Sequence, residues 1–148
     1  MENRYAKIIS TGRYVPKRVM TNAEFEPFVG DVDAWLKEKV GIAERRCIAD
    51  DETTSDMCTA AARQALERAD LAPTDVDLII LGTDTPDYIS PATAPILQHK
   101  LGAVNSGTFD INSACASWIA GVDVSAKQIS TDTDINNVLV VGGYSMTR

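Results

Sequence analysis

Hydrophobic residues along the chain fall into short β-branched runs separated by stretches with helical spacing. The runs at residues 6–10, 76–83, 107–111 and 138–143 are bounded by Gly, Asn, Asp or Pro, which predicts four strands. The second and fourth runs are nearly continuous rather than alternating, a pattern typical of parallel strands covered on both faces. The pattern therefore predicts a mixed, mainly parallel sheet with helices on both of its faces.

Helices are predicted in the stretches between the strands, over residues 22–29, 32–40, 55–70, 91–101 and 114–129. In the third of these helices, Cys58 lies on the apolar stripe, and Thr54 or Ser55 is the N-cap. The fourth begins at Pro91 and ends before Gly102, which are residues that favour a helix start and a helix stop. We therefore expect Cys58 to be a core residue.

The predicted helix over residues 114–129 has almost no polar face in its first half, which is typical of a helix buried on all sides. Its small residues, such as Ala116, Ala120 and Gly121, allow neighbouring backbones to approach closely. The alternation of strands and helices implies right-handed crossovers within one parallel sheet. The predicted fold class is therefore α/β, with a central buried helix.

Composition places the chain among globular proteins. A chain of 148 residues, 45% of them hydrophobic, can bury one core, so one compact unit is expected. No apolar run approaches the roughly 20 residues that cross a bilayer, and the N-terminus lacks the apolar segment of a signal peptide. We therefore expect a cytoplasmic protein without a membrane partner.

The net charge of −7 argues against a nucleic-acid partner, because phosphate backbones are bound by clustered lysine and arginine. One dense basic cluster exists, formed by Lys37, Lys39, Arg45 and Arg46. This basic cluster is either a solvated face or a site for a single anionic ligand.

The cysteine and histidine content argues against a disulfide framework and against a metal site. Cys47, Cys58 and Cys115 are odd in number and lack Cys-x-x-Cys spacing, so free thiols are expected. His99 is the single histidine, which excludes a multi-histidine metal site. Because His99 lies at the far end of its predicted helix, a surface or capping role is favoured over catalysis.

Cys115 is the strongest candidate for chemistry. It follows the predicted strand that ends at Ile111 and enters the first turn of the next helix, where free N–H groups and the helix dipole favour a thiolate. Ligands of parallel sheets gather at this edge of the sheet. A buried core cysteine is the alternative, since free cysteine packs as a small hydrophobe. The chain offers no evident acid/base partner for a thiol nucleophile.

Six blocks of the sequence resemble β-ketoacyl-acyl-carrier-protein synthase III in that family's order and spacing, namely residues 5–16, 21–22, 33–36, 41–46, 109–116 and 140–142. The resemblance implies the five-layered thiolase fold, which contains two related α/β halves with a central buried helix in each. Residues 1–148 are similar to the first half, so the C-terminal half is expected to be absent from this chain.

The resemblance also implies a reaction. Enzymes of this family move an acyl group from acyl-CoA to a cysteine, condense it with malonyl-acyl-carrier protein and release carbon dioxide, which initiates fatty-acid synthesis. Cys115 matches the nucleophile, and its backbone N–H matches one donor to the oxyanion. The implied partners are acyl-CoA, malonyl-acyl-carrier protein, the C-terminal half and a second copy in a homodimer. Coenzyme A enters as a substrate thioester, so no cofactor and no metal are expected.

Three further residues match positions that the family uses. Trp35 matches the aromatic residue that stacks on the adenine of coenzyme A, and Lys39 falls where the family often carries an arginine near the nucleotide. A core position on an amphipathic helix is the alternative for Trp35. Ser90 matches the loop position that reaches across the dimer interface toward the partner's acyl pocket.

The sequence departs from the family in two ways. The catalytic histidine and asparagine of the family lie in its C-terminal half and match nothing here, so the chain alone is not expected to complete condensation. Asn112, Ser113, Ser117 and Trp118 also differ from the commonest residues around the cysteine. These differences leave open a ketosynthase for secondary metabolites. Two further alternatives are a relative of hydroxymethylglutaryl-CoA synthase, which also uses a cysteine at this turn, and a non-catalytic half-fold that serves as an interaction module.

Overall fold

The computed structural model describes residues 4–146. Their elements in chain order are β1 (Arg18–Thr21), α1 (Asn22–Val29), α2 (Asp33–Trp35), a π-helical turn (Leu36–Val40), β2 (Glu44–Cys47), α3 (Thr54–Ala69), a 3₁₀ turn (Pro73–Asp75), β3 (Leu78–Gly82), α4 (Thr93–Leu101), β4 (Gly107–Ile111), a second 3₁₀ turn (Ala114–Ala116), α5 (Ser117–Thr131) and β5 (Val138–Gly142). The described residues divide into two compact units. The larger unit holds residues 4–14 and 53–144, and the smaller unit holds residues 15–52 with 145 and 146.

A three-stranded sheet in the order β4-β3-β5 forms the centre of the larger unit. Both pairings are parallel, with Leu78 opposite Gly107 in β4 and opposite Val138 in β5. The central strand, β3, is buried along its whole length. Three of the four predicted strands and their parallel pairing are therefore confirmed. Antiparallel pairing, expected in a mixed sheet, occurs within the described residues only between the strands of the smaller unit.

Helices cover both faces of the parallel sheet. Since successive strand residues point to opposite faces, neighbouring residues of one strand contact different helices. Ile79 faces α3 and α4, where it joins a core that includes Cys58. Ile80 and Val140 face α5 and lie close to Gly121. The predicted core position of Cys58 is confirmed, with 2% of the residue exposed.

Only one side of α5 is packed within the described residues. A Cβ atom at Gly121 would lie 2.9 Å from Val140 Cγ1, so the glycine allows the helix to approach the sheet. On the other side, Trp118 is 44% exposed and Ile119 is 59% exposed. The prediction of burial on all sides is therefore wrong for residues 4–146, because this part of the chain supplies a sheet beneath the helix and no cover above it.

The segment over residues 6–10 is not a strand, contrary to the prediction. This segment and the residues that follow it lie along α3. The Ser10 hydroxyl donates to the Ala65 carbonyl at 2.8 Å, and Arg68 donates to the Thr11 carbonyl at 2.7 Å. A β-branched run becomes a strand only beside another strand, and no described strand pairs with this one.

The N-cap of α3 is Thr53, which lies just before the predicted Thr54 or Ser55. The Thr53 hydroxyl accepts from the Asp56 N–H at 3.2 Å, and the Asp56 carboxylate accepts from the Thr53 N–H at 3.0 Å, which forms a capping box. Lys100 from α4 donates to the same carboxylate at 2.6 Å. Hydrogen bonds from Lys100 and Thr53 lower the pKa of Asp56, so this carboxylate both caps α3 and ties it to α4.

The first residue of α4 is Thr93 rather than the predicted Pro91, because β4 supplies the cap of this helix. The Asp110 carboxylate accepts from the N–H groups of Thr93 and Ala94, both at 2.7 Å. The helix ends before Gly102, which adopts a φ of 78°, as the glycine predicted. α4 therefore runs from the carboxyl edge of the sheet toward the opposite edge.

The smaller unit contains the antiparallel pair β1 and β2, in which Arg18 lies opposite Cys47. The sequence did not predict these strands, because their residues are mostly polar or charged. α1 has its predicted bounds, and Thr21 and Glu24 form its capping box. α2 and the π-helical turn occupy most of the helix predicted over residues 32–40.

Membrane-spanning helices, metal-binding clusters of side chains and disulfides are absent from the described residues. No helix within residues 4–146 is long and apolar enough to cross a membrane. In the same part of the chain, no group of three or more His, Cys, Asp or Glu side chains is placed to hold a metal ion. All three cysteines are free, which confirms the predicted free thiols.

Candidate active site

Cys115 lies in the 3₁₀ turn between β4 and α5, at the carboxyl edge of the parallel sheet. Cys115 is exposed, whereas Cys47 and Cys58 are each 2% exposed. The alternative of a buried core cysteine therefore does not hold for Cys115 in the described chain. Of the three thiols, the one on Cys115 is open to an incoming substrate.

The turn that carries Cys115 has an unusual backbone. Ala114 adopts a φ of 48°, in the left-handed region that residues with a side chain rarely enter. Such a conformation costs about 1–2 kcal/mol, and it persists only where neighbouring interactions hold it. The strained residue directly precedes the candidate nucleophile.

Two hydroxyl groups hold this turn. The Ser117 hydroxyl donates to the Ala114 carbonyl at 2.8 Å and accepts from the Ser113 N–H at 2.8 Å. The Tyr144 hydroxyl donates to the same Ala114 carbonyl at 2.6 Å. The Ser117 residue is fully buried. The turn is therefore held by a buried hydroxyl on one side and by Tyr144, in the segment after β5, on the other.

A glycine at the end of β3 lets the start of α5 come close to the sheet, and a glycine at the end of β5 lies beside the Trp118 indole. A Cβ atom at Gly82, the last residue of β3, would lie 2.8 Å from Ser117 Cβ. A Cβ atom at Gly142, the last residue of β5, would lie 3.4 Å from Cδ1 of the Trp118 indole. The carboxyl ends of β3 and β5 therefore pack against the start of α5, directly after the Cys115 turn.

Cys58 lies in the same unit but does not qualify as a nucleophile. Burial raises the pKa of its thiol to about 12, with smaller contributions from the carboxylates of Asp87 and Asp110. The thiol is therefore neutral near pH 7, and a neutral thiol is a poor nucleophile. Cys58 is a packing residue of the core.

Trp35 and Lys39, the residues predicted to bind coenzyme A, lie in the smaller unit. Trp35 is the last residue of α2 and is 58% exposed, so the core alternative for this residue does not hold in the described chain. Lys39 lies about one turn further along, in the π-helical turn, and is also exposed. Both side chains are accessible to a ligand, and their role in binding coenzyme A stays a prediction.

Three residues of the basic cluster have partners within the smaller unit. Lys37 pairs with Asp33 at 2.8 Å, and its hydrogen bond lowers the pKa of that carboxyl. Arg45 lies 4.4 Å from the centroid of a phenylalanine ring, and Arg46 donates to a backbone carbonyl at 3.1 Å. Lys39 makes no ion pair within residues 4–146, so its ammonium is the one in this cluster best placed to meet an anion.

Ser90 and His99 are the remaining predicted positions. Ser90 lies in the exposed loop between β3 and α4, and its role at a dimer interface stays a prediction. His99 is exposed in the last turn of α4, where the adjacent Gln98 donates to the Ser106 carbonyl just before β4 at 2.6 Å. His99 therefore lies toward the opposite edge of the sheet from Cys115, which agrees with the surface role predicted for it.

Three residues near this edge of the sheet were not predicted as site residues from the sequence. The hydroxyls of Ser117 and Tyr144 hold the Cys115 turn. In the sequence, only the presence of a hydroxyl group near a predicted strand end could have indicated this role. Asp84, two residues after β3, has a buried carboxylate oxygen without a hydrogen-bond partner among the described residues. An acidic residue two positions after a buried strand is a detectable signal, since ligands gather at this edge.

Comparison with known proteins identifies the family of the chain. The family model described as "Thiolase, N-terminal domain" matches residues 38–148. The chain belongs to this thiolase family. The matched residues include α3, the parallel sheet and the Cys115 turn, so the predicted thiolase-like α/β fold is confirmed.

The chain is similar over nearly its whole length to curated proteins called β-ketoacyl-[acyl-carrier-protein] synthase III. It is 42% identical over 144 residues to the protein of Xanthomonas campestris pv. campestris and 44% identical over 144 residues to that of Xylella fastidiosa. Each match covers 97% of this chain and 44% of the relative. The predicted resemblance is therefore confirmed, and the chain spans less than half the length of these relatives.

Solved structures show the same likeness in three dimensions. The 3-oxoacyl-[acyl-carrier-protein] synthase III of Aquifex aeolicus has a TM-score of 0.89 and 41% identity, and the match covers 95% of this chain and 45% of that chain. The priming β-ketosynthase of the R1128 polyketide pathway has a TM-score of 0.92 and 33% identity, and the match covers 99% of this chain and 43% of that chain. The synthase III proteins of Xanthomonas, Xylella and Aquifex are 41–44% identical to this chain over the matched residues, against 33% for the priming ketosynthase.

Proposed function

We propose that this chain is the nucleophile-bearing half of a 3-oxoacyl-acyl-carrier-protein synthase III, an acyltransferase that condenses acyl-CoA with malonyl-acyl-carrier protein to initiate fatty-acid synthesis. One structural observation carries the proposal: Cys115 is an exposed thiol on a strained turn at the carboxyl edge of a parallel sheet. Likeness to the named synthases, at 41–44% identity, supports the same reaction.

The first proposed step is acyl transfer to Cys115. The thiolate sulfur attacks the carbonyl carbon of the acyl-CoA thioester, and the oxyanion that forms accepts from the Cys115 backbone N–H. Collapse of this intermediate breaks the bond to the coenzyme A sulfur, which leaves as a thiolate and takes up a proton. The acyl group then remains on the enzyme as a Cys115 thioester.

The second proposed step is the condensation. Loss of carbon dioxide from malonyl-acyl-carrier protein leaves a carbanion equivalent that attacks the acyl carbonyl on Cys115. The β-ketoacyl product departs on the carrier protein, and the thiolate of Cys115 is restored. We assign the acid/base group and a further oxyanion donor to a histidine and an asparagine of the C-terminal half, as the resemblance to the synthase III family implies. His99 lies toward the opposite edge of the sheet from Cys115. The chain by itself thus supplies the nucleophile and not the complete reaction.

Coenzyme A is proposed to bind at Trp35 and Lys39. The exposed indole offers a flat apolar surface to the adenine, and the accessible ammonium offers a positive charge to a phosphate. Coenzyme A enters as the thioester that donates the acyl group. The proposal therefore requires no bound cofactor and no metal.

The active assembly is proposed to contain a C-terminal half and a second copy of the enzyme. The exposed apolar face of α5, with Trp118 and Ile119, supports a cover over this helix. The loop that carries Ser90 is proposed to reach across the interface of a homodimer, and the exposed side chains of Tyr88 and Ile89 in the same loop support that role. A cytoplasmic location belongs to the same proposal.

The reaction is tested on the assembly of this chain with its C-terminal half, supplied with acyl-CoA and malonyl-acyl-carrier protein. We expect mass spectrometry to detect carbon dioxide and β-ketoacyl-acyl-carrier protein. Cys115→Ser should abolish the product, whereas Cys47→Ala, which changes a buried thiol of the smaller unit, should retain it. Product formation at an undiminished rate in Cys115→Ser would reject the proposal.

A further inference from the structure

Tyr144 follows β5 by two residues and reaches back to the turn that precedes α5. Its hydroxyl donates to the Ala114 carbonyl at 2.6 Å, although the two residues are 30 positions apart in the chain. Tyr144 is 37% exposed, so its ring lies at the surface of the larger unit. The bond ties the end of the sheet to the turn that carries Cys115.

The Ala114 carbonyl accepts from three donors, which are the Ser117 N–H, the Ser117 hydroxyl and the Tyr144 hydroxyl. The donor Ser117 belongs to the helix that continues from the turn, so its bond fixes the local shape. The donor Tyr144 comes from a different part of the fold, so its bond fixes the turn against the end of β5. Ala114 needs both, because its φ of 48° is an unfavourable conformation for alanine.

The Ala114 carbonyl and the Cys115 N–H belong to the same peptide unit. This unit is planar, so the direction of its carbonyl determines the direction of its N–H. A carbonyl that accepts hydrogen bonds also polarises the peptide and strengthens the N–H as a donor. The Tyr144 hydroxyl therefore acts on the N–H that the proposed function assigns to the oxyanion.

We propose that Tyr144 is a positioning residue for acylation of Cys115, an inference that rests on the proposed function. By holding the Ala114 carbonyl, Tyr144 aims the Cys115 N–H at the developing oxyanion and keeps the thiol aligned with the thioester carbonyl. Such alignment matters in the transition state more than in substrate binding, because the oxyanion exists only there. Tyr144 acts through Ala114 and does not touch the substrate.

The test compares Tyr144→Phe with wild type in the assembly of this chain with its C-terminal half. Acetyl-CoA is the probe, and rapid-quench mass spectrometry measures the rate of Cys115 acylation over a range of concentrations. We expect the rate at saturation to fall about tenfold, less than the roughly 100-fold that a 1 Å misplacement of reacting groups costs, and the half-saturating concentration to stay unchanged. Tyr5→Phe, in which another tyrosine that is 81% exposed loses its hydroxyl, should behave as wild type.

A second readout does not depend on acyl transfer. Hydrogen exchange of the Ser113 and Ala116 amides reports the turn, because these N–H groups donate to the Ser117 hydroxyl and the Ser113 carbonyl. We expect exchange at both amides to accelerate severalfold in Tyr144→Phe and to stay unchanged in Tyr5→Phe. If Tyr144 had only a general stabilising role, Tyr144→Phe would instead accelerate amide exchange throughout the larger unit.

The outcomes separate the two proposals. If wild type is acylated and Tyr144→Phe reacts at the same rate, the positioning role is overturned and the proposed function stands. If wild type is not acylated at Cys115, the proposed function fails, and the positioning role for acylation fails with it. Amide exchange then still shows whether Tyr144 holds the turn: unchanged exchange in Tyr144→Phe would overturn that part of the inference as well.

Discussion

Trp35 presents an indole ring at the surface of the smaller unit, with 58% of the residue exposed. If the ring stacks on adenine, Trp35→Ala should weaken coenzyme A binding by about 1–3 kcal/mol, the contribution that stacking of a base on an aromatic ring makes elsewhere. Isothermal titration calorimetry with coenzyme A measures this change. Phe28→Ala removes another exposed ring from the same unit and should leave the affinity unaltered. An unchanged dissociation constant for Trp35→Ala would contradict the stacking.

Single residues differ in how well the sequence revealed their positions. The core position of Cys58 follows from the spacing of apolar runs and is confirmed. Cys115 was expected in the first turn of a helix, but it lies in the 3₁₀ turn just before that helix, because α5 begins only at Ser117. The left-handed Ala114 could not be predicted, because alanine carries no preference for a positive φ. The bond from Tyr144 was hidden for another reason, since it joins residues that only the folded sheet brings together.

At the scale of elements, the contact between the end of β3 and the start of α5 depends on Gly82. An added Cβ would lie 2.8 Å from Ser117 Cβ and 3.2 Å from the Trp118 nitrogen, closer than packed atoms normally come. Gly82→Ala should therefore lower the free energy of unfolding by about 1–3 kcal/mol through overpacking. The same displacement should slow acylation of Cys115. Urea denaturation measures the first effect, and the acetyl-CoA assay measures the second.

Gly107→Ala is the matched control for this substitution. Gly107 also lies at an end of a paired strand, but its added Cβ would meet Leu78 Cδ1 at 3.5 Å, an ordinary contact. We expect its stability to stay within about 0.5 kcal/mol of wild type and its acylation rate to be retained. Equal losses in both variants would show that the approach of α5 to β3 does not require a glycine at position 82.

The Asp56 carboxylate connects α3 and α4 and makes their contact sensitive to acid. Hydrogen bonds from Lys100 and Thr53 hold the pKa of Asp56 below its ordinary value of 3.8 in the folded chain. The resulting stability is fully present above that value and is lost as the pH falls through the lower folded-state pKa. Asp56→Asn should therefore flatten the decline in unfolding free energy below pH 3.8. The loss at pH 7 should be no more than about 1 kcal/mol, because solvent screens so exposed a pair.

Denaturation curves recorded from pH 2 to pH 7 test this expectation. Asp123→Asn is the control, because Asp123 pairs with Lys127 along one helix and both side chains are more than half exposed. This control should retain the acid limb of wild type. An acid limb in Asp56→Asn as steep as that of wild type would assign the acid sensitivity to other carboxylates.

Strands could be predicted from the sequence where their burial requires a continuous run of apolar residues. The continuous apolar runs of β3 and β5 indicated strands within a parallel sheet, and both are found. The polar strands β1 and β2 could not be recognised, because their pairing involves little apolar burial. The run over residues 6–10 gave the opposite error, because its apolar residues resemble a strand but no described strand lies beside it.

At the scale of the whole molecule, the family blocks in the sequence predicted more than periodicity could. They indicated the thiolase fold and the synthase III likeness, and both are confirmed. Burial of α5 was predicted from its own composition, whereas the structure covers one of its sides. Trp118 and Ile119 on the other side of α5 are exposed within residues 4–146, and we propose that the C-terminal half covers them.

The central claim is that Cys115 receives the acyl group, and peptide mapping after a single exposure to acetyl-CoA tests it most directly. The assembly of this chain with its C-terminal half is mixed with acetyl-CoA without malonyl-acyl-carrier protein, digested at acidic pH and sequenced by tandem mass spectrometry. We predict one acetyl group per chain, on the peptide that contains Cys115, and none in Cys115→Ser. Acetylation of Cys47 or Cys58, or labelling that persists in Cys115→Ser, would contradict the account.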